Sequence, residues 1–176
     1  MSEARGTRWL DADQQASWRA FAVGVTLLLD RLDADLQRAF DLSLTEYEIL
    51  VRLSEAPEHT LRMSQLASTS LSSRSRLSHA VARMEEAGWI RRLPYPDDRR
   101  GALAQLTDEG MARLEAAAPA HVEQVRSLLF DPLTPDQLAA LREISDRLAA
   151  HLSDTPRWPA APDEPACDDE AEATTR

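Results

Sequence analysis

A mainly α fold with a small β-wing is what this sequence predicts: a winged helix-turn-helix flanked by amphipathic N- and C-terminal helices. Three observations point there. Helix formers dominate the chain of 176 residues while Gly and aromatics are scarce. A short and a longer helical segment are separated by a Ser/Thr cluster in "RMSQLASTSLSSRSRLSHAVARMEEAG". After Gly88 the helical period gives way to two short extended runs, "WIRRL" and "ALAQL", around a Pro- and Asp-marked reversal.

Taken in order, residues from about Asp11 to Phe40 form a long helix, because Trp18, Phe21, Val25, Leu28, Leu32, Leu36 and Phe40 recur every three or four positions. Gly24 weakens this helix without ending it. "DLSLTEYEILVRLSE" predicts a second helix, with Thr45 or equally Ser43 as its N-cap and Tyr47, Leu50, Val51 and Leu53 as buried candidates. "APEHT" reads as a loop. Met63, Leu66 and Ala67 fit a short helix that ends at Ser68 to Ser70. A longer one follows from Leu71 to Ala87, with Leu77, Ala80, Val81 and Met84 on one face and Gly88 at the stop. The extended runs predict a two-stranded ribbon. Thr107 then caps a helix with Asp108 and Glu109 in its first turn. Its stripe is Met111, Leu114, Ala118, Val122, Val125 and Leu129, with a kink or break expected at Pro119. The last helix opens on a Thr134–Gln137 capping box with Pro135 at its first position, and carries Leu138, Leu141, Ile144, Leu148 and Leu152. The Pro- and acid-rich stretch from Ser153 onward is expected to be disordered. The division is therefore 1–40 arm and N-terminal helix, 41–110 winged helix-turn-helix, 111–152 C-terminal helices and 153–176 acidic tail.

Charge is distributed unevenly along the chain. The net charge is −10, yet between Arg62 and Arg100 eight arginines face four acids. The tail is strongly acidic by contrast. Within the basic centre "SSRSRLSHAVAR" places short polar groups and fork-shaped donors outward, which is what a helix entering a major groove must present. Ser73, Arg74, Ser75, Arg76, Ser78 and His79 are the candidates for base or phosphate contact. Arg62, Ser64 and Arg83 are candidates for clamping the backbone. Arg99 and Arg100 at the ribbon tip would reach an adjacent minor groove, with Asp98 orienting them through guanidinium hydrogen bonds.

These residues resemble the multiple-antibiotic-resistance regulator (MarR) family of bacterial transcription factors. Asp98-Arg99-Arg100 followed by Leu106-Thr107-Asp108-Glu109-Gly110 is similar to the family's wing signature, D-x-R, a strand, then L-T-x-x-G. "MSQLA", "RMEEAGWIRR" and "LTPDQLAALREI" are similar to its first motif helix, recognition-helix exit and C-terminal helix. The resemblance implies a regulator, most often a repressor, that binds a pseudopalindromic stretch of double-stranded DNA as a homodimer. In many members it further implies a small-ligand pocket between the dimer helices and the DNA-binding lobe. Trp18, Phe21, Tyr47 and Met111 are candidate walls of such a pocket, although large apolar residues serve equally as core. Trp9, Leu10, Leu138, Leu141, Ile144, Leu148 and Leu152 are candidates for the dimer interface, since one chain could hardly bury two terminal amphipathic helices alone.

Other chemistries find little support. His59, His79, His121 and His151 are scattered and lack metal-ligand or catalytic spacing, and no Gly-rich phosphate loop or nucleophile elbow occurs. No enzyme, cofactor or metal is expected. The lone Cys167 suits a reducing cytoplasm, and no apolar run reaches the ~18 residues of a membrane span. The N-terminus does not read as a signal peptide. The alternative is a winged helix that binds another protein and no DNA.

Overall fold

Helix boundaries follow from side chains that satisfy the first backbone N–H groups. The computed structural model describes residues 7–69, 74–95 and 98–152; the expectations for Ser73, Cys167 and the tail from 153 lie outside the described residues. Helix α1 (Ala12–Phe40) opens on a reciprocal capping box. Asp11 accepts from the Gln14 backbone at 2.8 Å, and the Gln14 side chain accepts from the Asp11 N–H at 3.1 Å. It runs through Gly24 and stops at Asp41, which takes the left-handed conformation at φ 47°. Of the two N-cap candidates for α2 (Leu44–Glu55), Ser43 takes the role, again as a capping box, with Glu46. The Leu44 N–H donates to Asp33 at 2.8 Å, tying the first turn of α2 back to α1.

The presumed loop after α2 holds a 3-10 turn (Pro57–His59) and a three-residue strand, β1 (Thr60–Arg62). Then come α3 (Met63–Thr69), α4 (Arg74–Glu86), β2 (Ile90–Tyr95) and β3 (Asp98–Leu106). The expected two-stranded ribbon is therefore the longer part of a three-stranded antiparallel sheet, ordered β1-β3-β2. Arg62 stands opposite Leu103, and Leu103 opposite Leu93. A strand of three residues carries too short a pattern to show alternation, so only its pairing with β3 reveals it.

Helix α5 (Asp108–Val125) passes through Pro119 without breaking. The interruption comes about two turns later, as a π-turn (Arg126–Phe130) closed by Asp131 N–H donating to the Arg126 carbonyl at 2.8 Å. The buried positions of α5 are Gly110, Leu114 and Ala117, whereas Val122 of the expected stripe is exposed and Ala118 is only half-buried. Helix α6 (Pro135–Leu152) begins at the Thr134–Gln137 box as its sequence indicates.

One core joins these elements. Ile49, Leu50 and Leu53 of α2 meet Leu66 of α3, Leu77, Val81 and Met84 of α4, Ile90 and Leu106 of the sheet, and Ala117 of α5. From α1 only the end contributes, through Leu36, with Phe40 packed against the cluster. Its first two-thirds leave Trp18, Phe21, Val23, Val25 and Leu27 exposed. Ile144, Leu148 and Leu152 of α6 are exposed too.

The junction between sheet and α5 explains the L-T-x-x-G pattern physically. Leu106 enters the core. The Thr107 hydroxyl donates to the carbonyls of Gly88 (2.7 Å) and Trp89 (2.9 Å) and accepts from the Gly110 N–H (3.1 Å), so one side chain joins the end of β3, the end of α4 and the start of α5. Gly88 adopts φ +78°, which suits the helix stop. At Gly110 a Cβ would lie 2.1 Å from the Trp89 carbonyl oxygen and 2.7 Å from Leu106 Cδ1. The first contact cannot relax cheaply, because it is with backbone. Gly110→Ala is therefore expected to lower stability by about 2 kcal/mol, the cost of overpacking a tight site, read as a drop of several degrees in the calorimetric midpoint; an unchanged midpoint would refute this close approach.

Candidate nucleic-acid interface

The inward face of α4 is fixed by Leu77, Ala80, Val81 and Met84, all buried. That leaves Ser75, Arg76, Ser78 and His79 exposed on the opposite side, along the N-terminal half of the helix. Ser64 of α3 is exposed as well. Arg74 opens α4, while Asp98, Arg99 and Arg100 open β3 beside the turn of the ribbon; their side chains lie outside the described part. The backbone thus carries a short helix, a longer helix with a polar outer face, and a hairpin, in that order.

Two arginines expected to face a polyanion are engaged in different ways. Arg62 is exposed, and its guanidinium carbon stands 3.9 Å from the centre of the Tyr95 ring. Arg83 departs from the expectation of a backbone clamp. Its Nε donates to Glu46 Oε1 at 2.6 Å, and one Nη donates to Glu46 Oε2 at 3.0 Å and to the Asp41 carbonyl at 2.7 Å. These contacts raise the Arg83 pKa further, the hydrogen bond to Glu46 foremost. Its fork is spent inside the protein. It pins the C-terminal half of α4 to the α1–α2 junction, through the same carboxylate that caps α2.

Comparison with known proteins sets this geometry in a family. The MarR family matches residues 42–101, from just before α2 into β3. The transcriptional regulator PecS of Dickeya dadantii (strain 3937) is 35% identical over 130 residues, which cover 73% of this chain and 77% of that protein. This chain belongs to the MarR family. Among solved structures, the MarR family regulator Sco3205 from Streptomyces coelicolor, crystallised in complex with DNA, is 46% identical, with a TM-score of 0.79 over 86% of this chain and 98% of that one. The MarR family regulator AbsC from the same organism is 42% identical, with a TM-score of 0.76 over 83% and 98% of the two chains.

Within this MarR-family frame, an open cleft of about 640 Å³ separates α1 from α4. Leu29, Asp30 and Asp33 of α1 form one wall, Arg76, His79 and Arg83 of α4 another, with Thr45 and Glu48 of α2 between them. None of the four expected pocket residues lines it. Trp18 and Phe21 pack on each other, 6.4 Å between ring centres, on the exposed face of α1. Tyr47 belongs to the core, with Met111 packed against its edge. Their spacing along the sequence suits either role, and in the single chain it is α1's overhang that separates the pairs. Of the expected interface residues, Trp9, Leu10, Ile144, Leu148 and Leu152 are exposed, and Leu138 and Leu141 are half-buried.

Sequence reasoning passed over Tyr95, Glu46 and Arg113. Arg113 donates to the Phe40 carbonyl and lies 5.0 Å over Trp89, joining α5 to the end of α1. A signal for Glu46 existed in the S-x-x-E spacing from Ser43; its bond to an arginine 37 positions away had none. Among the described residues no helix is long and apolar enough to cross a membrane.

Tyr47 also packs against His121 of α5, with ring centres 4.3 Å apart and the rings tilted by 44°. Among the described residues the His121 Nδ1 has no hydrogen-bond partner. Burial lowers the pKa of His121 from its ordinary 6.5 and raises that of Tyr47. The folded chain thus binds this proton less readily than the unfolded chain. Stability is expected to fall as pH drops through about 6.5 and to level off below the folded-state value. Urea unfolding across roughly pH 5 to 8 should show this slope in the unaltered protein and lose it in His121→Gln; a slope that persists there would assign it to other groups.

A separate outcome follows from the Arg83 contact. Glu46 is buried at 2% exposure while the Arg83 side chain is 44% exposed, so solvent screens the pair in part. Arg83→Ala leaves a buried carboxylate without its partner and is expected to cost about 1–2 kcal/mol. Denaturant unfolding checks this, and a cost near zero would mean the contact holds nothing together.

Proposed function

We propose that this chain is a sequence-specific, DNA-binding transcriptional regulator that acts as a homodimer on a pseudopalindromic operator. The observation that carries the reading is the polar outer face of α4, Ser75, Arg76, Ser78 and His79, set beside a wing. It is supported by the DNA-bound state of the 46% identical Sco3205. In this reading Arg74, Ser75, Arg76, Ser78 and His79, with Ser73, address the major groove. Ser64 and Arg62 hold the backbone, and Arg99 and Arg100, oriented by Asp98, enter the minor groove. Residues 41–110 form the DNA-binding unit, and residues 1–40 and 111–152 the dimerising helices.

Repression follows from such binding by occlusion of a promoter, and the site of action is the cytoplasm, where bacterial DNA lies. A small effector would act by changing the separation of the two recognition helices, which must stay near one helical turn, ~34 Å, to fit one face of the duplex. The cleft between α1 and α4 stands where an occupant would alter that separation. No catalytic step is assigned to the chain.

Selection of bound duplexes from a random pool tests the reading. The expected result is an inverted repeat whose affinity falls steeply with added salt, as phosphate contacts release counterions. Arg100→Ala is expected to weaken binding by at least about tenfold with the thermal midpoint unchanged. Absence of any retained duplex at low salt would instead favour a winged helix that binds another protein.

A further inference from the structure

Arg62 and Tyr95 end two strands that do not touch. β1 and β2 lie on opposite sides of β3, and the rungs run Arg62, Leu103, Leu93, with Ala102 opposite Pro94 in the next rung. To reach Tyr95 the Arg62 side chain has to span the central strand, where the neighbouring residues are the small Gly101 and Ala102. The span is completed with the guanidinium 3.9 Å from the ring centre. At the other end the Arg62 backbone N–H donates to the Gln65 side chain at 2.9 Å, which anchors the residue at the entry to α3.

The manner in which this cation is held differs from that of its neighbours. Arg83 is held by Glu46, and Arg92 by Glu85 at 3.1 Å, so both charges are neutralised in place. Among the described side chains no carboxylate lies within ion-pair distance of Arg62. A stack on an aromatic ring uses the flat face of the guanidinium and leaves its in-plane N–H donors and its full positive charge available. Tyr95 thus orients Arg62 without cancelling it. The held group stands between the first helix of the motif and the root of the wing, where the two elements would straddle one sugar–phosphate strand.

Resting on the DNA-binding reading above, we infer that Tyr95 is a positioning residue for that contact: its ring holds the Arg62 guanidinium as a pre-oriented fork for a backbone phosphate. A side chain already ordered in the free protein loses less rotamer freedom on binding. Because a phosphate contact carries no base information, the effect is the same on every duplex.

The experiment is a set of binding isotherms on a selected duplex and on an unrelated one, at several salt concentrations, for the full chain and its variants. Arg62→Ala is expected to weaken binding to both duplexes by about tenfold and to reduce the salt slope by about one. Tyr95→Leu is expected to weaken both by about three- to tenfold, Tyr95→Phe to keep affinity, and Tyr95→Leu to add nothing in the Arg62→Ala background. Arg62→Lys keeps the charge without the planar stack, leaves Tyr95 and the wing intact, and is expected to fall between the unaltered protein and Arg62→Ala. Equal, additive losses from Arg62→Ala and Tyr95→Leu, or unaltered affinity in Arg62→Lys and Tyr95→Leu, overturn the inference alone. If the unaltered protein retains no duplex, the DNA-binding reading fails and takes this inference with it.

Discussion

The bond between Arg83 and Glu46 governs how α4 can be used. A helix that offers serines and arginines outward has little packing on that side, so its orientation must come from the other face and from its far end. Leu77, Val81 and Met84 supply the first. Arg83 supplies the second, reaching Glu46 at 2.6 Å and the Asp41 carbonyl at 2.7 Å. Glu46 in turn accepts from the Ser43 N–H, so the N-cap of α2 and the end of α4 share one carboxylate, and Arg83 ties both to the end of α1. A rotation of α4 about its axis would have to break this bond or melt the first turn of α2. The polar face therefore has a defined direction relative to α1, and α1 is an element whose outer apolar face has no cover among the described residues.

That uncovered face gives the architecture its logic. Trp18, Phe21 and Leu27 on α1 and Ile144, Leu148 and Leu152 on α6 expose apolar area that a single chain does not bury. Burial of such area against a second copy would favour association by about 25 cal/mol for each Å² removed from water. Paired in this way, two α4 helices become a rigid couple whose separation is set by α1, with the cleft between α1 and α4 at the joint. Leu44 N–H to Asp33, within the cleft, and Arg113 to the Phe40 carbonyl brace the C-terminal part of α1 against α2 and α5. Under the proposed function, reading a duplex and responding to an occupant of the cleft would then depend on one mechanical variable.

Much of this was legible in the sequence where the physics is local. The Thr107 cap on Gly110, the Gly88 stop and the Thr134–Gln137 box act over one turn of backbone, and their residue types announce them. The polar and apolar faces of α4 follow from periodicity alone. What escaped detection is non-local or short. β1 has three residues and no alternation to show, so it vanished into a loop. Pro119 looked like a break, yet α5 tolerates it and yields instead at the π-turn from Arg126 to Phe130. Arg83 has the same composition around it as a phosphate-binding arginine, and only the fold brings Glu46 to it. Tyr95, between two prolines, carries no sequence signal of its place, and only the sheet brings it to Arg62. Trp18 and Phe21 fit the periodicity of a core helix, whereas the structure leaves them on the outside.

The measurement that tests the central claim most directly is chemical footprinting of the protein on its selected duplex. Two positively charged recognition helices fixed in direction and paired by symmetry should protect two major-groove tracts on one face, about 34 Å apart, each flanked by protected minor groove from the wings. A single protected tract, protection spread evenly around the duplex, or none at saturating protein would contradict the account.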